Sequence, residues 1–135
     1  MSGSLAKRYK PQRPTAVVAI ESRGLIVGSA LAYTLGVGLV PVRKKGKLPW
    51  KTNSVTYDLE YGTDTLEMHQ DALNPGEKVL IVDDLLATGG TVKAVTELIQ
   101  QMKGKISGIA FLIELSDLKG KDKLKGFPVY SLIKF

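Results

Sequence analysis

The stretch Val79–Thr91, VLIVDDLLATGGT, decides the fold of this 135-residue chain. It opens with four apolar residues, which are typical of a strand buried on both faces of a parallel sheet. Two acids come next, and two glycines then precede a segment whose apolar residues recur at helical spacing. The stretch therefore predicts a strand, a tight turn and a helix, which is the repeating order of an α/β domain.

Strands and helices alternate on both sides of this stretch. The predicted strands cover 15–20, 37–43, 78–82, 106–115 and 129–135, and the predicted helices cover 25–35 and a segment beginning near residue 92. Pro41 lies in the second strand, where its missing N–H predicts a local irregularity. Alternating apolar residues between 55 and 68 predict an antiparallel hairpin or long flap.

We therefore expect an α/β fold with a mostly parallel, twisted sheet flanked by helices and a β-hairpin flap over about residues 50–70. A chain of this length suits one domain. We assign residues 15–135 to a single core domain and residues 1–14 to an N-terminal basic segment or partial helix.

The composition excludes several classes of protein. Hydrophobic residues make up 44% and charged residues 24%, which is ordinary for a globular domain and excludes wholesale disorder. No apolar run approaches the roughly 20 residues needed to span a bilayer, and the polar, basic start shows no secretory signal. Without cysteine there is no thiolate catalysis, disulfide or cysteine zinc site. We expect a cytoplasmic protein with no membrane partner.

The net charge of +6 favours a polyanionic partner. The positions of the basic residues indicate which kind of polyanion is expected. The basic residues form three clusters: Lys7, Arg8, Lys10 and Arg13; Arg43, Lys44, Lys45, Lys47 and Lys51; and Lys119, Lys121, Lys123 and Lys125. The second cluster lies in a loop with glycine and proline and is the best ligand candidate, whereas the third is typical of a solvated helix face. Because the sequence shows no recognisable helix or sheet module for nucleic-acid binding, we expect no nucleic-acid partner.

Asp83 and Asp84 end the predicted strand at the sheet edge where α/β proteins bind ligands. In the following segment, Ala87–Thr91, backbone amides and threonine hydroxyls can converge on an anion. A phosphate joined to a diol, such as ribose 5-phosphate, matches both halves, although an ordinary turn capped by acids fits the same residues. A Walker loop is excluded because its lysine is missing, and no dinucleotide fingerprint opens a helix.

Four segments together resemble a known family. Val82–Thr91 resembles the phosphoribosyl diphosphate (PRPP) binding motif of type I phosphoribosyltransferases, and its Leu85-Leu86-Ala87 version resembles the adenine-specific branch. Three more segments agree in order and spacing: Glu21-Ser-Arg-Gly24, Arg43-Lys-Lys-Gly-Lys-Leu-Pro49 and Tyr57-Asp-Leu-Glu-Tyr-Gly62. The resemblance extends from about Leu5 to Phe135.

This resemblance implies a role for each matching residue. The 5-phosphate of PRPP would be held by Ala87, Thr88, Gly89, Gly90 and Thr91, and the ribose hydroxyls by Asp83 and Asp84, which would also stabilise charge at C1. The pyrophosphate would be bound by Ser22, Arg23, Gly24, Arg43, Lys44 and Lys47. The family often has a cis peptide at the position of Glu21–Ser22, and Arg23 would also be catalytic. An alternative for Arg23 alone is a surface ion pair.

The remaining implied roles concern the base and the flap. Tyr57, Glu60 and Tyr61 match the catalytic flap, with Glu60 as the proton-transfer partner of the base, although an exposed hairpin glutamate is the alternative. Leu85 would pack on one purine face, and Arg43 would reach across a homodimer interface. The single histidine, His69, follows the apolar alternation and is expected to be structural.

The activity implied is transfer of the 5-phosphoribosyl group from PRPP to adenine, giving AMP and pyrophosphate in purine salvage. Mg²⁺ would be held through PRPP, with no metal ligand supplied directly by the protein. The family's N-terminal hood over the base has no counterpart here, so impaired activity is expected. The alternative is a non-catalytic PRPP- or nucleotide-binding module, or a regulatory remnant.

Overall fold

A computed structural model describes residues 2–59 and 61–135. The helices are α1 (Ser2–Tyr9), α2 (Arg23–Leu35) and α3 (Gly90–Gln101). The strands are β1 (Ala16–Ile20), β2 (Gly38–Lys44), β3 (Thr52–Leu59), β4 (Gly62–His69), β5 (Lys78–Leu86), β6 (Lys105–Glu114) and β7 (Val129–Lys134). Short 3₁₀ segments cover Lys10–Gln12, Ser116–Leu118 and Gly120–Leu124.

The strands form one seven-stranded sheet in the order β3-β4-β2-β1-β5-β6-β7. The five strands from β2 to β7 in that order pair in parallel, whereas β4 pairs antiparallel with both β2 and β3. The expected α/β fold and the hairpin are therefore confirmed. Because β1 and β5 are parallel neighbours, the turns after them meet at one edge of the sheet.

Apolar clusters cover both faces of the sheet. On one face, α1 and α2 pack against alternate residues of β1 and β5 through Leu5, Tyr9 and Leu31, all of which are fully buried. On the other face, α3 packs through Val95, Leu98 and Ile99. This two-sided burial explains the uninterrupted apolar runs of the central strands. Within the described part of the chain, no helix is long and apolar enough to cross a membrane.

The expected irregularity at Pro41 is wrong. β2 runs through this residue, and Pro41 is in register with Ala19 of β1. The carbonyl of Val42 accepts a hydrogen bond from the Glu21 N–H and therefore faces β1. Neighbouring backbone groups alternate in direction, so the nitrogen of Pro41 points toward β4, which pairs only with Arg43 and Lys44 of β2. The missing donor thus costs no ladder hydrogen bond.

Candidate functional site

Two acids lie at the carboxyl end of β5. The strand continues past the expected end at Val82 as far as Leu86, because β6 supplies pairing partners up to Glu114. Asp83 and Asp84 are therefore held by the sheet ladder and not by a free turn. The Asp84 N–H donates to Asp83 Oδ1 at 2.9 Å, which fixes the two carboxylates relative to each other.

The turn between β1 and α2 packs directly against these acids. A Cβ atom added at Gly24 would lie 2.7 Å from Asp83 Oδ1, so only glycine lets α2 begin this close to the carboxylate. Arg23 Nε lies 2.8 Å from Asp84 Oδ2, although the Arg23 side chain is 76% exposed. The peptide bond between Glu21 and Ser22 is cis, as expected. The segments 21–24 and 83–84 thus form one site.

Burial raises the pKa of Asp83 to about 7. The charge of Asp84 acts in the same direction, and the Asp84 N–H and the Arg23 guanidinium offset only part of the effect. A carboxyl group with this pKa changes its charge near neutral pH. Such groups in a cleft are typical of sites that bind or transform a polar ligand.

The segment Ala87–Thr91, hereafter the phosphate loop, surrounds a cavity of about 100 Å³ beside Asp83. Gly89 has a φ of +86°, a conformation that side chains rarely adopt, and α3 begins at the next residue. The unpaired N–H groups of the first helical turn and the loop amides therefore surround the cavity, which suits an anion. Thr91 Oγ1 lies 3.4 Å from the Tyr57 hydroxyl, so the hairpin contacts this loop.

Arg43–Pro49, hereafter the basic loop, is held by a carboxylate that the sequence analysis did not assign. Glu21 accepts hydrogen bonds from the Lys44 N–H and from Lys47 Nζ at 3.3 Å. Desolvation opposes ionisation of Glu21, but these donors and the nearby charge of Arg43 outweigh it and lower its pKa. Lys44 Nζ lies 3.6 Å from Oδ2 of a second acid, Asp64, which belongs to none of the four matching segments.

The acids, the turn and the basic loop line one cleft of about 590 Å³. Of the predicted residues, this cleft brings together Ser22, Arg23, Lys44, Lys47, Tyr57, Asp83, Asp84, Leu85 and Thr91. The smaller cavity of the phosphate loop adjoins it through three shared residues, Asp83, Leu85 and Thr91. Leu85 is half-buried and supplies an apolar wall between the two.

Of the described residues, three predicted ones line neither the cleft nor the cavity of the phosphate loop. Gly24 packs against Asp83, and Arg43 Nε is buried 3.8 Å from Glu21 Oε1. Tyr61 is 97% exposed at the tip of the hairpin. Glu60 lies outside the described residues, and its role stays a prediction.

Gly120, which follows β6, contacts the phosphate loop directly. Sequence analysis did not identify this residue. A Cβ atom added at Gly89 would lie 2.5 Å from the carbonyl oxygen of Gly120, and one added at Gly120 would collide with the carbonyl oxygen of Ala87. The two backbones therefore touch with no side chain between them. The lysines around Gly120 are exposed, as expected of the third basic cluster, but the segment packs inward through the buried Leu124.

Known proteins share this fold. The family described as phosphoribosyl transferase domain matches residues 3–134, so the chain belongs to the phosphoribosyltransferases. An adenine phosphoribosyltransferase from Synechococcus sp. is 56% identical over 131 residues, which cover 97% of this chain and 77% of the relative. Within the family, the chain belongs with the adenine phosphoribosyltransferases.

Crystal structures of adenine phosphoribosyltransferases are also similar to the structure of this chain. Adenine phosphoribosyltransferase from Thermoanaerobacter pseudethanolicus has a TM-score of 0.96 and 51% identity, with 99% of this chain and 78% of that chain covered. The enzyme from Saccharomyces cerevisiae, complexed with an imino-altritol bisphosphate and adenine, has a TM-score of 0.89 and 43% identity, with 96% and 73% covered. The expected family is therefore confirmed.

Proposed function

We propose that this chain transfers the 5-phosphoribosyl group of PRPP to adenine and releases pyrophosphate, giving AMP. The observation that supports this most is the cleft itself, in which two carboxylates face a basic loop and adjoin a small anion cavity. PRPP carries a matching group for each: a diol for the carboxylates, a pyrophosphate for the basic loop and a phosphate for the anion cavity. Named relatives of the chain are adenine phosphoribosyltransferases, which supports adenine as the acceptor.

In this proposal, the strand-end acids act on the sugar. Ionised Asp83 and Asp84 accept hydrogen bonds from the ribose 2- and 3-hydroxyls, while the phosphate loop binds the 5-phosphate. As the bond from C1 to the pyrophosphate oxygen lengthens, positive charge develops at C1 in an oxocarbenium-like transition state. The fixed carboxylates stabilise that charge without reorganising, because β5 and the Gly24 contact hold them in place.

The basic groups act on the leaving group. Arg23, Lys44 and Lys47 line the cleft and can bind the pyrophosphate oxygens. No cluster of three or more metal-ligating side chains occurs within residues 2–59 and 61–135, and a pair of carboxylates suits a Mg²⁺ that arrives bound to the phosphates of PRPP. When bound, that ion would neutralise charge on the leaving pyrophosphate.

The remaining roles concern the purine. Leu85 offers an apolar surface at the cleft for one face of the base. We propose that Glu60 is the partner for transfer of the proton on the attacking nitrogen of adenine. We also propose that the hairpin excludes water from the cleft. Both roles are those that the family resemblance implies. The cations at the cleft already contact the acids Glu21, Asp64 and Asp84, which fits a small-molecule site better than a nucleic-acid surface. We place the enzyme in the cytoplasm.

The function is tested by incubating the protein with adenine, PRPP and Mg²⁺ and measuring AMP by chromatography. The double variant Asp83→Asn/Asp84→Asn is the blank, since it keeps the shape of both side chains and removes both charges. We expect AMP formation well above this blank and its loss when EDTA removes Mg²⁺. No AMP from the wild type, together with PRPP binding by calorimetry, would instead identify the non-catalytic module. Absence of both would contradict the proposal.

We also propose a homodimer that uses one face of α2. Ile26 and Tyr33 are 75% and 90% exposed and lie on the same side of this helix. An exposed apolar strip of this kind is typical of a two-fold interface. The reach of Arg43 into the partner's site, which the family resemblance implies, is part of this proposal.

The dimer gives a direct prediction. Tyr33→Asp should convert the protein to a monomer in sedimentation velocity, because it places a charge in the proposed interface. Leu118→Asp changes another exposed apolar residue away from α2 and should leave the dimer intact. A wild-type protein that sediments as a monomer would contradict the proposal.

A further inference from the structure

We propose that Glu67 is a positioning residue that holds the basic loop from behind and thereby sets the affinity of the cleft for the pyrophosphate part of PRPP. This inference rests on the proposed function. Glu67 lies on β4, outside every segment that resembles a ligand-binding motif, and it does not line the cleft.

Glu67 makes two hydrogen bonds, one to the tip of the basic loop and one to the strand that follows the loop. Its Oε1 accepts from the Gly46 N–H at 2.8 Å, and its Oε2 accepts from Thr52 Oγ1 at 2.7 Å. Gly46 is the turning point of the basic loop, with a φ of +85°, and Thr52 is the first residue of β3, where the chain re-enters the sheet. One carboxylate thus joins the tip of the loop to the start of β3.

The pleat of the hairpin places Glu67 on the side away from the ligand. Leu66 and Met68 are buried on the core side, and Leu66 lines the cleft. Side chains alternate along a strand, so Glu67 points to the opposite face. It pairs with Arg43 of β2 and Ser54 of β3 in the sheet register, so its backbone is fixed from both sides.

The basic loop is therefore held between two carboxylates. Glu21 contacts Lys44 and Lys47 from the cleft side, and Glu67 contacts Gly46 between them from the other side. A pyrophosphate that enters the cleft takes over the Lys47 ammonium from Glu21, because it offers more negative charge. Glu21 then holds the loop only through the Lys44 N–H, and Glu67 holds its tip at Gly46, so the contribution of Glu67 appears in the bound state.

The test compares three variants by calorimetric titration with inorganic pyrophosphate and Mg²⁺ and by steady-state kinetics. Glu67→Ala removes both hydrogen bonds. Glu67→Gln is the conservative variant, since its amide oxygen can accept from Gly46 and its amide nitrogen can donate to Thr52. Glu97→Ala removes an exposed acid from α3 and controls for the change in net charge.

We expect Glu67→Ala to raise the Kd for pyrophosphate and the KM for PRPP by about tenfold, as loss of a charge-assisted hydrogen bond predicts. The KM for adenine and the melting temperature should stay near the wild-type values. Glu67→Gln should recover most of the affinity, and Glu97→Ala should change none of these quantities. A Kd for pyrophosphate within twofold of wild type in Glu67→Ala would overturn the inference. A wild type that forms no AMP but binds pyrophosphate would overturn only the proposed activity.

Discussion

Asp83→Asn should raise the melting temperature at pH 8 by about 5–10 °C while it weakens PRPP binding at least about tenfold. Both effects come from one carboxylate. Burial disfavours the ionised form of Asp83 and raises its pKa to about 7, so at pH 8 the folded protein carries a charge that it holds unfavourably. Asparagine has the same shape and no charge, and it accepts the ribose hydrogen bonds less strongly than a carboxylate does.

The pH dependence of this effect has a definite sign. Asp83 titrates near 3.8 when its environment is unperturbed and near 7 in the folded protein, so folding favours the protonated form. The stabilising contribution of Asp83 is therefore fully present below about pH 4, is lost as the pH rises to about 7, and stays absent above that. The advantage of Asp83→Asn should grow over the same window and should be small at pH 4.

Thermal melts at several pH values between 4 and 8 would measure this. Asp84→Asn is the matched control, because Asp84 pairs with the largely exposed Arg23 and should change stability far less. Equal melting temperatures of Asp83→Asn and wild type at pH 8 would contradict the burial argument. Unchanged PRPP affinity would contradict the assignment of Asp83 to the ribose.

Gly120→Ala should lower kcat/KM for PRPP by about 100-fold, although Gly120 belongs to no ligand-binding motif. The added methyl group would collide with the carbonyl oxygen of Ala87 and lie 2.9 Å from Leu86 Cδ1. Both neighbours belong to the strand end and phosphate loop, so the loop must move. Displacements of about 1 Å in a binding site can cost this factor.

The control for this variant is Gly3→Ala, since a Cβ atom at Gly3 meets nothing within 4 Å. It should keep full activity. Binding of PRPP to Gly120→Ala by calorimetry separates a displaced loop from a slowed chemical step, and we expect the loss mainly in binding. Wild-type kinetics in Gly120→Ala would show that the phosphate loop does not depend on this contact.

The parts of the fold and site that sequence analysis predicted are those encoded locally. The strand, the acids and the glycine turn of residues 79–91 are consecutive in the chain, so their spacing determines their geometry. The same holds for the hairpin, where alternation of apolar residues identifies both strands. The family resemblance assigned the 21–24 turn and Asp83 to one ligand site, but their direct contact was not predicted.

The missed features depend on register and on contacts between distant segments. Glu67 acts through Gly46 and Thr52, and nothing in the sequence shows that β4 will place it beside them. Gly120 matters because the chain after β6 folds back onto the phosphate loop. The error at Pro41 has the same origin, since the direction of its nitrogen depends on which residues of β2 face β1.

The pairing of Lys44 with Asp64 and of Lys47 with Glu21 has a consequence for selectivity. These acids compete with any incoming anion for the two lysines. A monovalent ion such as chloride offers too little charge to displace them, so the cleft should discriminate against abundant simple anions. PRPP offers the lysines the larger charge of its pyrophosphate, and its hydroxyls also donate to the carboxylates of β5, a second contact that a simple anion cannot make. The cleft therefore selects ligands that carry both anionic oxygens for its lysines and hydroxyl donors for its carboxylates.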